Sequence, residues 1–150
     1  MNDAEAERAD LARFIGPNQA RLAPFAEARR APFCWPGFLA PQAWFLYRKM
    51  YLWAALVSAG PLLIARLPGL TYLSWATSLV GAFGLRLYFA HARKTVARIR
   101  AGAGDETQAA ALIARAGGVS RIGAALGLAF GFSVFVLSLK AGAPALFSLK

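Results

Sequence analysis

Residues 122–139 read IGAALGLAFGFSVFVLSL, eighteen positions without a charge, fenced by Arg121 and Lys140. At about 1.5 Å per residue such a helix approaches the roughly 30 Å hydrocarbon thickness of a bilayer, whereas a helix of a soluble domain alternates apolar and charged faces. Two comparable uncharged runs lie upstream, at 50–65 and 67–85. Together they predict an all-α integral membrane protein with three transmembrane helices, a helical hairpin plus a third span.

The first span is expected at about 44–66, because the bare run from Met50 is too short alone and Arg48 and Lys49 can snorkel to the surface. Gly60-Pro61 should kink it. The turn residues Arg66-Leu67-Pro68-Gly69 then send a second span, about 70–90, back beside the first. That helix should project into water as a basic amphipathic extension, from His91 to Arg100, until Gly102 and Gly104 break it. Asp105, with Gln108 three residues on, predicts the capped start of a short cytoplasmic helix that stops at Gly117-Gly118. The third span is 122–139, within a membrane domain of 31–139 whose cytoplasmic loop is 91–121. Residues 140–150 form a short tail outside.

Ahead of the spans, residues 1–30 hold five of the seven acids and five of the seventeen bases. They read as a polar, near-neutral cytoplasmic arm with one helix around Ala4 to Ile15. The opening MNDAEAERAD, with four acids, is unlike a signal peptide. The next segment, 31–47, is uncharged and aromatic but cut by Pro32, Pro36 and Pro41, which forbids one continuous helix. It reads as an interfacial segment, with Phe33, Trp35, Phe38 and Trp44 at headgroup depth.

Composition supports a membrane setting: 58% of residues are hydrophobic and the mean hydropathy is +0.46. The formal net charge is +10, but the bases crowd the ends of apolar runs, so membrane surface and not nucleic acid is the expected partner. Seven bases precede Met50, one lies in the first hairpin turn, seven run from Arg86 to Arg121 and two lie in the tail. The positive-inside rule then puts the N-terminus in the cytoplasm of a bacterial inner membrane and the C-terminus outside.

Chemistry is sparse. No carboxylate occurs between Ala28 and Gly104, Cys34 is the only cysteine and His91 the only histidine. General acid–base and hard-metal sites lack their usual parts, and neither cofactor nor catalytic residues are expected. Gly123, Gly127 and Gly131, spaced by four, line one stripe of the third span and mark a helix-packing face. Its mate is either this chain's own hairpin, with Gly81 and Gly84 in the second span, or a helix of another subunit. Trp44, Tyr47, Arg48, Lys49, Tyr51, Arg86, Arg93 and Lys94 are the expected interfacial anchors or lipid contacts, where rings hold headgroup depth and cations meet phosphates.

Four short pieces resemble a family of small bacterial inner-membrane proteins known as domain of unknown function 2628. They are Phe14-Ile15-Gly16-Pro17-Asn18, Phe33-Cys34-Trp35, the block from Trp44 to Tyr51 (WFLYRKMY), and Gly117-Gly118-Val119-Ser120. The resemblance covers residues 14–120 and implies a multispanning bacterial protein, with no catalytic residue to carry over. Where the family has asparagine between phenylalanine and tryptophan, this chain has Cys34, which removes an amide from that position.

Functionally, these features point to a non-enzymatic accessory or structural subunit of a larger inner-membrane complex, associating through the glycine stripe or by self-association. The alternative is a protein that holds an anionic or isoprenoid lipid at the cytoplasmic interface with Arg48, Lys49, Arg93 and Lys94. A headgroup enzyme would have to rely on Asp105, Glu106 and His91.

Overall fold

Prolines and glycines set where the helices stop. The computed structural model describes residues 3–26, 32–64 and 76–147. Pro36 and Pro41 each occupy the first turn of a short helix, α3 (Trp35–Leu39) and α4 (Pro41–Tyr47), where a missing N–H leaves no bond unmade. The aromatic segment is therefore two helical pieces meeting at Ala40. Before it lie α1 (Asp3–Ile15), a 3-10 turn (Gly16–Asn18) and α2 (Gln19–Ala26).

The continuous span expected at 44–66 is instead broken. α4 ends at Tyr47, Lys49 adopts φ +56°, and α5 (Tyr51–Ile64) starts afresh. The reversal is stitched by Lys49 N–H to Leu46 O at 3.1 Å and Met50 N–H to Phe45 O at 2.9 Å. α5 then returns alongside α4, with Phe45 stacked on Trp53 and Gln42 Nε2 donating to Val57 O at 3.3 Å. The hairpin turn expected at Arg66–Gly69 and residues 70–75 of the second span lie outside the described residues, as does the end of the tail.

The rest of the second span is α6 (Ala76–Ala82), separated by a turn at Phe83 from α7 (Gly84–Gly102). α7 carries the basic extension as expected. Arg86, Arg93, Lys94 and Arg98 are exposed on it, while Leu85, Tyr88, Phe89, Ala92 and Val96 face inward, the spacing of an amphipathic helix. α8 (Glu106–Ala116) follows, its end capped by Asp105, which accepts from Thr107 N–H. Gln108 reaches back to Gly104 N–H, one residue before the cap. α9 (Arg121–Phe147) has 27 residues, about 40 Å of helix and longer than the expected 122–139.

The stretch Glu106–Val136, which takes in α8 and more than half of α9, is the one among the described residues long and apolar enough to cross a membrane, and 6% of its apolar window is buried. Ile122, Leu126, Leu128, Phe132 and Phe135 are exposed on it, as are Tyr51, Leu52, Leu56 and Leu63 on α5. α5, with 14 residues, spans about 21 Å.

The helix expected around Ala4 to Ile15 is α1, and it lays Leu11, Phe14 and Ile15 into the core against α7 and α8. Its polar composition concealed an apolar stripe at spacings of three and one, sufficient to bury one helix face. The result is a charged layer of α1, α8 and the end of α7 above an apolar layer of α4, α5 and α9.

Candidate functional site

Three of the four short pieces singled out in the sequence meet where these layers join. Gly118 N–H donates to Phe14 O at 2.8 Å and Ser120 N–H to Tyr47 O at 2.8 Å. Lys49 Nζ donates to Gly117 O at 2.6 Å and Arg115 O at 3.2 Å, placing a cation on the last carbonyls of α8, where the helix dipole favours it. Asn18 Nδ2 donates to Tyr47 Oη at 3.4 Å. Gly16 and Gly118 both have positive φ, +66° and +76°, and a Cβ on Gly16 would stand 3.4 Å from Gly118 Cα. Gly117 has no room for a side chain against the Phe14 backbone. The pieces at 14–18, 47–49 and 117–120 thus form one three-way junction.

Arg48 is the centre of this junction's chemistry. Its guanidinium lies 4.8 Å from the ring centroid of Tyr88 and 5.4 Å from that of Tyr47. The residue is only 8% exposed, and Nε and Nη1 have no well-formed hydrogen bond; the buried hydroxyl of Tyr88 has no neighbour for one but Arg48 itself. Trp44 and Phe14 pack around the same tyrosine, with centroids 6.3 and 6.2 Å away. Arginine stays charged even here. The two ring faces stabilise it by about 2 kcal/mol when desolvated, short of the several kcal/mol that burying an ion costs.

Above the junction, Asp10, 1% exposed, is held by Arg100 and by Arg13, the latter at 3.2 Å. Arg100 also grips Glu106, through Nη1 at 2.7 Å and Nη2 at 3.0 Å. The bonds from Arg100 hold the Glu106 carboxyl below the usual range, and the bond to Asp10, followed by those to Glu106, raises the Arg100 guanidinium. Arg93 Nη2 donates to Ala26 O at 2.6 Å and lies 3.9 Å from Glu7. His91 meets Phe14 edge-on at 6.3 Å; burial, followed by the charge of Arg98, lowers its pKa. The trio needed for a headgroup enzyme is otherwise committed: Asp105 caps α8, Glu106 pairs with Arg100, and His91 packs on Phe14. No group of three His, Cys, Asp or Glu side chains converges among the described residues.

The glycine stripe faces α4 of the same chain. A Cβ on Gly123 would stand 2.7 Å from Leu46 O and one on Gly127 2.5 Å from Ala43 Cα, while Gly131 has Gln42 Oε1 at 3.6 Å. The mate anticipated in the second span is engaged elsewhere, since Gly81 abuts the backbone of Gly37 in α3 and Gly84 the ring of Trp44. Gly123 and Gly127 come this close to α4 because they carry no side chain; α4 runs from the segment read as interfacial, 31–47, into the start of the first expected span, 44–66.

Of the eight expected anchors, Tyr51, Arg86, Arg93 and Lys94 are exposed and Tyr47 is half-buried. Trp44 and Arg48 turn inward, and Lys49 spends its ammonium on α8. Tyr88 is fully buried. The cause is the hairpin between α4 and α5, which folds this block against α7 rather than along a spanning helix. Sequence reasoning missed Asp10, Asn18 and Tyr88; the Gly16-Pro17-Asn18 and Gly117-Gly118 pairs were the available signal for a tight junction. No family model, curated protein or solved structure matches the chain.

Proposed function

We propose that the chain is a non-enzymatic multi-pass protein of the bacterial inner membrane that engages anionic lipid at the cytoplasmic interface. The observation that carries this reading is the division of its surface. Exposed leucine and phenylalanine side chains on α5 and α9 lie beyond a layer whose α7 presents Arg86, Arg93, Lys94 and Arg98 to solvent. Such cations contribute about 1 kcal/mol each near an anionic surface. In this reading α9 crosses the bilayer fully, the region from α5 to α6 supplies the other two spans, and the N-terminus lies inside. Flotation of the full chain with vesicles of phosphatidylcholine, with and without phosphatidylglycerol, tests the lipid preference. Equal recovery in both would remove it, and a reporter fused after Lys150 tests the orientation.

The second reading, an accessory subunit of a larger membrane complex, now rests on a different face. The glycine stripe is filled by α4, so a partner helix would meet the exposed α9 side chains Leu126, Phe132 and Phe135. Gentle polymer extraction from native membranes, followed by identification of co-migrating polypeptides and lipids, separates the two readings. A stoichiometric protein partner favours the second, and retained anionic lipid without one favours the first.

A further inference from the structure

The geometry points to a phosphate-binding position at the guanidinium of Arg48 and the hydroxyl of Tyr88. Three buried polar atoms there lack partners: Arg48 Nε, Arg48 Nη1 and Tyr88 Oη. All three can donate, and two of them belong to a permanent cation. The rings of Tyr47 and Tyr88 stand against the guanidinium, and an aromatic face attracts the charge without accepting the in-plane N–H groups. A buried water could accept a hydrogen bond yet would leave the charge uncompensated. An acidic side chain would compensate it, but the chain has none from Ala28 to Gly104, and among the described residues Arg48 has no ion pair. Elsewhere in the fold, Asp10 and Glu106 are taken by Arg100 and Arg13. With no acidic partner among the described residues, the component that fits is an oxyanion from outside the chain.

Its position in the fold specifies the class. Arg48 sits at the corner between α4 and α5, beside the start of α9, where the exposed apolar residues Tyr51, Leu52 and Ile122 begin and the charged layer ends. A phosphate group is the oxyanion that a bilayer presents at that boundary, and arginine matches it in both charge and donor geometry. Tyr47, half-buried and bonded to Asn18, covers the guanidinium on one side. The site is distinct from the exposed cations of α7, which attract a charged surface diffusely; its assignment to phosphate rests on the membrane placement proposed above but not on the lipid preference of α7.

The test uses the full chain in neutral detergent and in nanodiscs. Inorganic phosphate, compared with chloride at equal ionic strength, is expected to raise the thermal unfolding midpoint if free phosphate is the occupant. Native mass spectrometry from phosphatidylcholine nanodiscs containing phosphatidylglycerol is expected to retain one anionic lipid if a headgroup is the occupant. In either arm Arg48→Gln should weaken binding about tenfold or more, and Tyr88→Phe, which keeps the ring, about threefold to tenfold. Lys94→Ala, on the exposed face, should leave this binding unchanged. Should Arg48→Gln fail to fold, Tyr88→Phe carries the comparison. Wild-type chain that responds to neither probe, or variants that bind as well as wild type, would overturn the assignment. Flotation that depends on phosphatidylglycerol while Arg48→Gln binds normally would sink only this site and leave the surface reading standing.

Discussion

Lys49 Nζ donates to the carbonyl of Gly117 at 2.6 Å, across 68 positions of sequence. This bond joins the turn between α4 and α5 to the end of α8, and Lys49 accepts a left-handed backbone, φ +56°, in making it. Lys49→Ala should destabilise the chain by about 1–2 kcal/mol, since it removes a charge-assisted bond and keeps the positive φ. Lys49→Gly should cost less, because glycine relieves the backbone while losing the same bond. Thermal unfolding in mild detergent compares the two; equal losses would mean that the backbone is unstrained.

Gly127 and Gly131 belong to one stripe but face different neighbours. A methyl on Gly127 would meet the Cα of Ala43 at 2.5 Å, whereas one on Gly131 would rest at ordinary distance from Gln42 Oε1. Gly127→Ala should therefore cost about 1–3 kcal/mol by forcing α4 from α9. Gly131→Ala should be neutral, or gain up to about 1 kcal/mol from helix propensity. A stripe devoted to another subunit would instead leave the isolated chain's stability unaffected by either change.

How much of this was legible in the sequence depends on where the determining contacts lie. The start of α8 at Asp105, its stop at Gly117 and the length of apolar α9 are set by neighbours within a few residues, and local patterning exposes them. The inward turn of Arg48 is not of that kind. Adjacent Arg48 and Lys49 look like a surface pair, and only the meeting of α4 with α7 and α8 places one beneath Tyr88 and the other on Gly117. The glycine stripe was readable as a packing face, but its mate was not, because three prolines disguised α4 as an interfacial segment. In α1, the buried Asp10 was hidden among solvated acids until Arg100, ninety positions on, supplied its partner.

His91 should impose a mild acid sensitivity. Burial against Phe14 and the nearby Arg98 charge depress its pKa from 6.5, so the folded chain binds fewer protons than the unfolded chain just below that pH. Stability is full above 6.5 and declines as the pH falls through the folded-state pKa. Unfolding midpoints measured from about pH 7.5 to about pH 5.5 should show this slope, and His91→Gln should flatten it. A wild-type profile parallel to that of the variant would count against the assignment.

Asp10 fastens α1 to the body of the protein. It is almost fully buried and engaged by both Arg100 and Arg13, with Arg100 about a third exposed. Solvent screening at that arginine reduces the value of the pair, so Asp10→Ala should cost about 1–3 kcal/mol rather than the larger loss of a fully enclosed pair. Arg100 retains Glu106, which limits the damage to α1. Limited proteolysis should cut residues 3–15 of the variant much faster than those of wild type, while α7 and α8 stay protected. Uniform cleavage throughout would indicate global unfolding instead.

Arg93 and Lys94 are neighbours on α7 with different commitments, and this difference separates lipid affinity from stability. Arg93 donates to Ala26 O and approaches Glu7, so it ties α2 and α1 to α7, whereas the exposed Lys94 has no such bond among the described residues. Lys94→Ala should weaken binding to phosphatidylglycerol vesicles by about fivefold, the equivalent of about 1 kcal/mol, with the unfolding midpoint unchanged. Arg93→Ala should lower the midpoint, because the Ala26 carbonyl loses its donor, and reduce vesicle binding less than Lys94→Ala does. Raising the salt concentration should shrink the Lys94 effect, since exposed charges are screened beyond about 8–10 Å. The Arg93 loss should persist because it resides mainly in a hydrogen bond. If both variants instead lost vesicle binding equally and neither changed the midpoint, Arg93 would be acting as a surface cation and its bond to Ala26 would contribute nothing to the fold.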